Sequence, residues 1–120
     1  MKRAKITTRA LNPLPLIKNI RKDEHGAVVV FLGIVRNMSE GRKVVQLQYE
    51  AYREMAERKM EQIVQEVEQK WRIPDIVIVH RVGNLGIGEV SLIIVVGSPH
   101  RAEGFSACQY AVDRLKDIVP

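Results

Sequence analysis

The chain predicts an α+β domain in which helices pack against a sheet. Three observations carry that expectation. Apolar β-branched runs such as AVVVFLGIV, Ala27 to Val35, alternate along the chain with segments of helical spacing such as Ala56, Met60, Ile63, Val64, Val67 and Trp71. The two kinds of segment follow one another in mixed order, and several neighbouring strands read as antiparallel. With 120 residues, 46% of them hydrophobic, the chain can bury one core and has no room for a second, so residues 1–120 form a single domain.

Taken in order, Ile6 to Arg9 reads as a short strand, Asn12-Pro-Leu-Pro15 as a break, and Leu16 to Lys22 as a short helix. Gly26 opens the apolar run, which reads as a strand buried on both faces. Asn37 to Arg42 is a polar loop, after which Val45, Leu47 and Tyr49 alternate with polar residues like a strand with one face on a core. These two strands are expected to pair antiparallel. Arg53 to Trp71 is amphipathic and helical, and Pro74 closes that region. Asp75 to His80 and Val90 to Gly97 are strands on either side of a turn-rich loop, and Phe105, Cys108, Val112 and Leu115 mark a helix from about Pro99 to Lys116.

Composition removes several function classes. No apolar run approaches the roughly 20 residues that span a bilayer, and the basic N-terminus lacks a signal-peptide core, so the expected location is cytoplasmic. The single cysteine, Cys108, excludes an internal disulfide and sits on the apolar side of its helix, as a small core residue would. His25, His80 and His100 are far apart and have no metal-site spacing, so no metal is expected. The net charge of +5 favours a polyanion, an acidic partner or a phosphorylated ligand. With only 5% aromatic residues, the stacking groups of single-strand readers are scarce, which disfavours nucleic acid without removing it. Gly83, Gly86 and Gly88 precede a strand rather than a helix, so they read as a tight connection and not as a phosphate cradle. His80-Arg81 reads as a structural strand end.

The informative stretch is GSPHRAEGF, Gly97 to Phe105. Ser98 reads as an N-cap and Pro99 as the first helical residue. His100 and Arg101 then place cations where the helix N-terminus is already partly positive and acidic residues are expected. Either they are exposed and solvated, or an anion sits among them and the backbone N–H groups. Arg36 follows the apolar strand, in which Gly33 permits a close approach, and it projects either into a cleft or into solvent. Lys116 lies in the last turn of the final helix, where a cation suits the dipole. From residue chemistry alone this is a basic anion pocket on a small α+β domain.

At these same residues the chain resembles a known family. GAVVVFLGIVRN, LQYEAYREMAERKM, IVHRVGNLGIGEVSLIIVVGSPHRAEGFSAC and YAVDRLKDIVP carry the motifs G-x-V-R, E-A-Y, H-R-V-G-x-L-x-x-G-E, S-P-H-R and D-x-L-K in the order found in the large, catalytic subunits of molybdopterin synthase. The resemblance runs from about Gly26 to Pro120. It implies an α/β-hammerhead-like domain with additional antiparallel strands, and a sulfurtransferase of molybdenum cofactor biosynthesis that needs no cofactor of its own. The implied substrate is cyclic pyranopterin monophosphate. The implied sulfur donor is a small ubiquitin-like subunit with a C-terminal Gly-Gly thiocarboxylate, and the implied assembly is a heterotetramer around a large-subunit homodimer whose sites draw on both protomers.

Carried over residue by residue, Ile34, Val35 and Arg36 match a substrate-contacting segment, His100 and Arg101 match the lining of the pterin and phosphate pocket, and Lys116 matches the catalytic lysine. Members of the family usually continue past this proline with an Ile-Trp-Lys-containing segment that bears a second active-site lysine, whereas this sequence ends at Pro120. Two other expectations stand beside this one: a basic nucleic-acid or nucleotide-binding α+β domain, and a large subunit that docks the small one without turnover.

Overall fold

The computed structural model describes residues 2–36 and 50–118. The element order among them is β1 (Ala4–Thr7), α1 (Pro13–Ile20), β2 (Ala27–Ile34), α2 (Glu50–Trp71), β3 (Ile76–Arg81), β4 (Val90–Ser98) and α3 (Arg101–Ile118). The architecture is α+β, as the mixed order of segments predicts. The loop expected over Asn37 to Arg42 and the strand expected at Val45, Leu47 and Tyr49 lie outside the described residues.

The strands form one sheet in the order β1-β3-β4-β2, with β1 parallel to β3 and the other two pairings antiparallel. Side chains alternate across it. On one face Ile78, Ile94 and Val96 meet Met60, Ile63, Val64 and Val67 of α2 and Ala107, Ala111 and Leu115 of α3. On the other face Val77, Val79, Ile93 and Val95 meet Ile20, Leu16 and Ile17 of α1. The glycine-rich loop joins β3 to β4 as an antiparallel connection, with Gly83 at φ 110° and Gly88 at φ 90° in the region that favours glycine. Arg81 pins that loop by donating from Nη1 to Glu89 Oε2 at 2.7 Å, while Glu89 Oε1 accepts the Gly86 N–H at 2.6 Å. His80-Arg81 is therefore part of a structural corner.

Two local expectations are corrected. Asn12-Pro-Leu-Pro15 does not break the chain but starts α1: the Asn12 side chain accepts the Leu14 N–H at 3.1 Å, and Pro13 takes the first helical position, where its missing N–H costs nothing. β2 is not buried on both faces. It is the last strand in the sheet order, α1 reaches only its start near Val28, and Val30, Leu32 and Ile34 remain 38%, 40% and 47% exposed. An apolar run looks the same in sequence whether both faces are covered or only one.

α3 packs along β4 and β2 and against α2. A carboxylate clamp holds the two helices together. Glu66 of α2 accepts Arg114 Nε at 2.9 Å, Arg114 Nη2 at 3.0 Å and the Tyr110 hydroxyl at 2.7 Å. The Tyr110 ring meets Trp71 edge-on with centroids 5.4 Å apart.

Arg114, and after it Tyr110, hold the Glu66 carboxyl at about 2, below its ordinary 4.5. A carboxyl lowered in the folded state stabilises above its ordinary value and loses that contribution as pH falls through the folded one. Glu66→Gln should therefore lower the urea midpoint at neutral pH, and the gap to the parent should close as pH approaches the carboxyl's value of about 2. A gap of constant size across that range would contradict the clamp.

Candidate active site

The corner between β4 and α3 is built by close backbone approaches. The final helix starts at Arg101, two residues later than its expected start, and Gly104 N donates to the His100 carbonyl at 3.3 Å. His100 thus occupies the N-cap position, and Arg101 is the first helical residue. Ser98 is not the cap. It ends β4, is buried, and its hydroxyl donates to the His100 carbonyl at 2.8 Å. Ser-Pro is a common helix opening, which points to an earlier cap in sequence, whereas here Ser98 is still paired with Ala27 of β2.

Gly104 lets the first turn of α3 sit directly on the sheet: a β-carbon there would lie 2.7 Å from Ser98 Oγ and 3.2 Å from Val29 Cγ2. The strand start at Gly26 is equally tight. Its N–H donates to the Ser98 carbonyl at 2.9 Å, and a β-carbon would meet the Pro99 carbonyl oxygen at 2.3 Å. Gly26, Pro99, His100, Arg101 and Ala102 line a surface hollow of about 310 Å³, at the small end of the range for small-molecule sites. Both side chains are exposed, and the N–H groups of Arg101, Ala102 and Glu103 precede the first intrahelical bond. Orphan donors, a positive dipole end, an imidazole and a guanidinium together suit an anion, with Glu103 the acidic residue of the same turn.

Arg36 belongs to the other end of the sheet. β2 runs antiparallel to β4, so Ala27 lies opposite Ser98 while Ile34 lies opposite Val90. At about 3.3 Å per residue, Ile34 is about 23 Å from Ala27. There the pairing shifts register between Gly33 and Ile34, a bulge of the kind that re-aims side chains. Beyond it Val35 is buried and tied to the β3–β4 loop, its N–H donating to the Glu89 carbonyl at 2.9 Å and its carbonyl accepting Gly88 N. Ile34 and Arg36 face solvent. At Gly33 a β-carbon would lie 3.1 Å from Leu92 Cβ, so the close neighbour is the adjacent strand.

Lys116 is exposed in the last turn of α3. A helical rise of about 1.5 Å per residue puts it about 22 Å along the axis from Arg101. α3 begins over Val29 and packs on β2 and β4, and its later turns are tied to the C-terminal half of α2 through Tyr110 and Arg114. Within one chain His100 and Arg101 therefore sit at one end of the sheet and Ile34, Val35 and Arg36 at the other, with Lys116 well along α3 from the first pair. Cys108 belongs to neither. It is buried, and burial pushes its thiol up to about 11, as for a core cysteine. Among the described residues no group of three or more His, Cys, Asp or Glu could hold a metal, and no helix is long and apolar enough to cross a membrane.

The sequence profile described as MoaE protein matches residues 6–118. The chain belongs to the MoaE family. It is 44% identical over 115 residues to the molybdopterin synthase catalytic subunit of Thermoplasma volcanium, covering 96% of this chain and 84% of that one. It is 43% identical over 120 residues to the corresponding subunit of Bacillus subtilis, covering 100% of this chain and 76% of that one. The crystal structure of molybdopterin synthase from Staphylococcus aureus superposes with a TM-score of 0.86 at 41% identity, covering 100% of this chain and 88% of that one. A chain from the complex of subunits 1 and 2 of the molybdopterin-converting factor of Helicobacter pylori shares the fold, with a TM-score of 0.69 at 22% identity and coverage of 93% and 76%.

Sequence reasoning had no role for His25, Gly26, Gly97 and Gly104, which shape the hollow of this MoaE-family chain. The available signal was a His-Gly pair directly before one apolar strand and a Gly-Ser-Pro directly after another. Gly26→Ala is expected to cost about 1–3 kcal/mol, because the new methyl must displace backbone rather than a flexible side chain. An unchanged urea midpoint would show that the Pro99 carbonyl yields freely.

Proposed function

We propose that the chain works as a molybdopterin synthase catalytic subunit. It transfers sulfur from the C-terminal Gly-Gly thiocarboxylate of a small ubiquitin-like subunit to cyclic pyranopterin monophosphate and so builds the dithiolene of molybdopterin. Membership of the MoaE family over residues 6–118 supports the activity. The observation that carries the site is the placement of His100 and Arg101 at the start of α3, where Glu103 offsets part of the unfavourable field and an anionic ligand would offset the rest.

His100, Arg101 and the orphan N–H groups of α3 clamp the substrate phosphate. Arg36, with Ile34 and Val35 beside it, contacts the substrate from the other group. The thiocarboxylate sulfur attacks a carbon of the pterin side chain, forming the C–S bond while that carbon's C–O bond breaks and the departing oxygen takes up a proton. Water then cleaves the acyl–sulfur bond and releases the tail as a carboxylate. Lys116 stabilises the developing anion or transfers the proton.

Both groups act at one centre if each site combines the Arg36–Lys116 end of one protomer with the His100–Arg101 end of its partner. A two-fold axis across α3 brings those ends together twice, which gives two equivalent sites per homodimer. The exposed strip Val30, Leu32 and Ile34, leading to Arg36, is the kind of surface a second subunit covers. The small carrier subunit then docks at each end of a heterotetramer, and its acidic character would complement the net charge of +5. A cytoplasmic location goes with this activity.

The test is reconstitution of the purified chain with the thiocarboxylated small subunit and cyclic pyranopterin monophosphate, followed by assay of dithiolene. Lys116→Ala should lower turnover by about a hundredfold or more with the melting temperature unchanged. Near-normal turnover in that variant would refute the role of Lys116. Docking of the small subunit by the unaltered chain without any turnover would select a docking-only large subunit instead.

A further inference from the structure

The His25–Asp75 pair lies outside both groups of site residues, yet it is built into the floor beneath one of them. The His25 side chain is only 4% exposed. Its Nδ1 accepts the Lys22 N–H at 3.1 Å, which leaves the ring proton on Nε2, and Nε2 donates to Asp75 Oδ2 at 2.8 Å. Asp75 Oδ1 accepts Lys22 Nζ at 2.7 Å, so both oxygens of this carboxylate hold the turn between α1 and β2. The Asp75 backbone carbonyl meanwhile accepts the Gly97 N–H at 2.8 Å. One residue at the start of β3 thus fixes the turn before β2 and the end of β4 together.

The ring itself fills the space under Gly97. A β-carbon at Gly97 would lie 2.5 Å from His25 Cε1 and 2.7 Å from Nδ1. From Gly97 the chain passes through buried Ser98, whose hydroxyl fixes the His100 carbonyl, into the first turn of α3. From His25 it passes into Gly26, whose N–H holds the Ser98 carbonyl and which lines the hollow with Pro99, His100 and Arg101. Both paths out of the imidazole end at the two cations.

We propose that His25, held by Asp75, is a positioning residue that sets the height and orientation of the Ser98–Arg101 corner and so the anion-clamping geometry of His100 and Arg101. The proposal rests on the phosphate-binding role given to those two residues above. Removing the imidazole leaves a void under Gly97 and frees the corner to sink. Misplacing a clamp raises the substrate concentration needed without touching the chemistry at Lys116.

The experiment measures KM for cyclic pyranopterin monophosphate and kcat in the reconstituted assay, well below the melting temperature of every variant. His25→Ala should raise KM about tenfold and leave kcat within about twofold, and His25→Gln, which keeps a donor near the Nε2 position, should recover most of the loss. Asp75→Ala should match His25→Ala, and the double variant should be no worse than either alone, since the two act as a unit. In an Arg101→Ala background the His25 change should add little to KM, because the clamp it positions is already broken. If Arg101→Ala raises KM while His25→Ala lowers only the melting temperature, the positioning role is overturned and the anion site stands. If Arg101→Ala itself leaves KM unchanged, the phosphate clamp falls, and this proposal falls with it.

Discussion

A helix is a rod, and α3 is one that begins where β4 ends and lies back along the same sheet. Its first turn rests on Val29 through Gly104, its middle buries Ala107, Cys108 and Ala111, and its last turn is locked to α2 through Arg114 and Glu66. About 22 Å of rigid rise separates Arg101 from Lys116, more than the two side chains can close between them. The same sheet holds Arg36 at the end away from His100 and Arg101, because the antiparallel register of β2 with β4 sets Ala27 beside Ser98. On the proposed reading each chain presents two half-sites, and a complete centre takes one from each of two chains.

The half-sites differ in kind. At the α3 start the cations sit against a helix dipole of the same sign, on a corner whose backbone is packed too tightly at Gly26, Gly97 and Gly104 for any side chain. On the proposed reading an incoming phosphate, together with Glu103, offsets that field. At the other end Lys116 sits in a last turn where the dipole favours it, and Arg36 follows a bulge tied to the β3–β4 loop. On the proposed reading one end takes the substrate phosphate, whereas the other holds cations that meet the incoming tail.

The period-driven parts of the fold were legible in sequence. The α2 stripe of Met60, Ile63, Val64 and Val67 and the apolar β3 and β4 runs all pack as their spacing requires. Less was legible where tertiary context decides. Nothing local distinguishes a capping Asn12-Pro13 from a chain break, or predicts that β1 adds parallel to β3 rather than antiparallel. The exposure of Val30, Leu32 and Ile34 was hidden because an apolar run does not reveal which of its faces has a neighbour. At the site, the identities of Arg36, His100, Arg101 and Lys116 stand out through motif order. Their separation does not, because distance along a helix and register along a strand appear only once both elements are placed. His25 escaped notice for the same reason, since its partner Asp75 and the glycine it lies under are remote in sequence.

The division of the site between two chains is tested most directly by mixing two damaged variants at a substrate concentration where each alone turns over negligibly. Arg101→Ala damages one half-site and Lys116→Ala the other, so a mixed dimer regains one wholly intact centre and one doubly damaged one. Random association of equal amounts should restore about a quarter of the parental turnover, since half of the dimers are mixed and each carries one working site of two. The same two changes placed in one chain should stay inactive when mixed with either single variant. Absence of any recovery, with mixed dimers demonstrably formed, would contradict the shared centre and the geometry on which it rests.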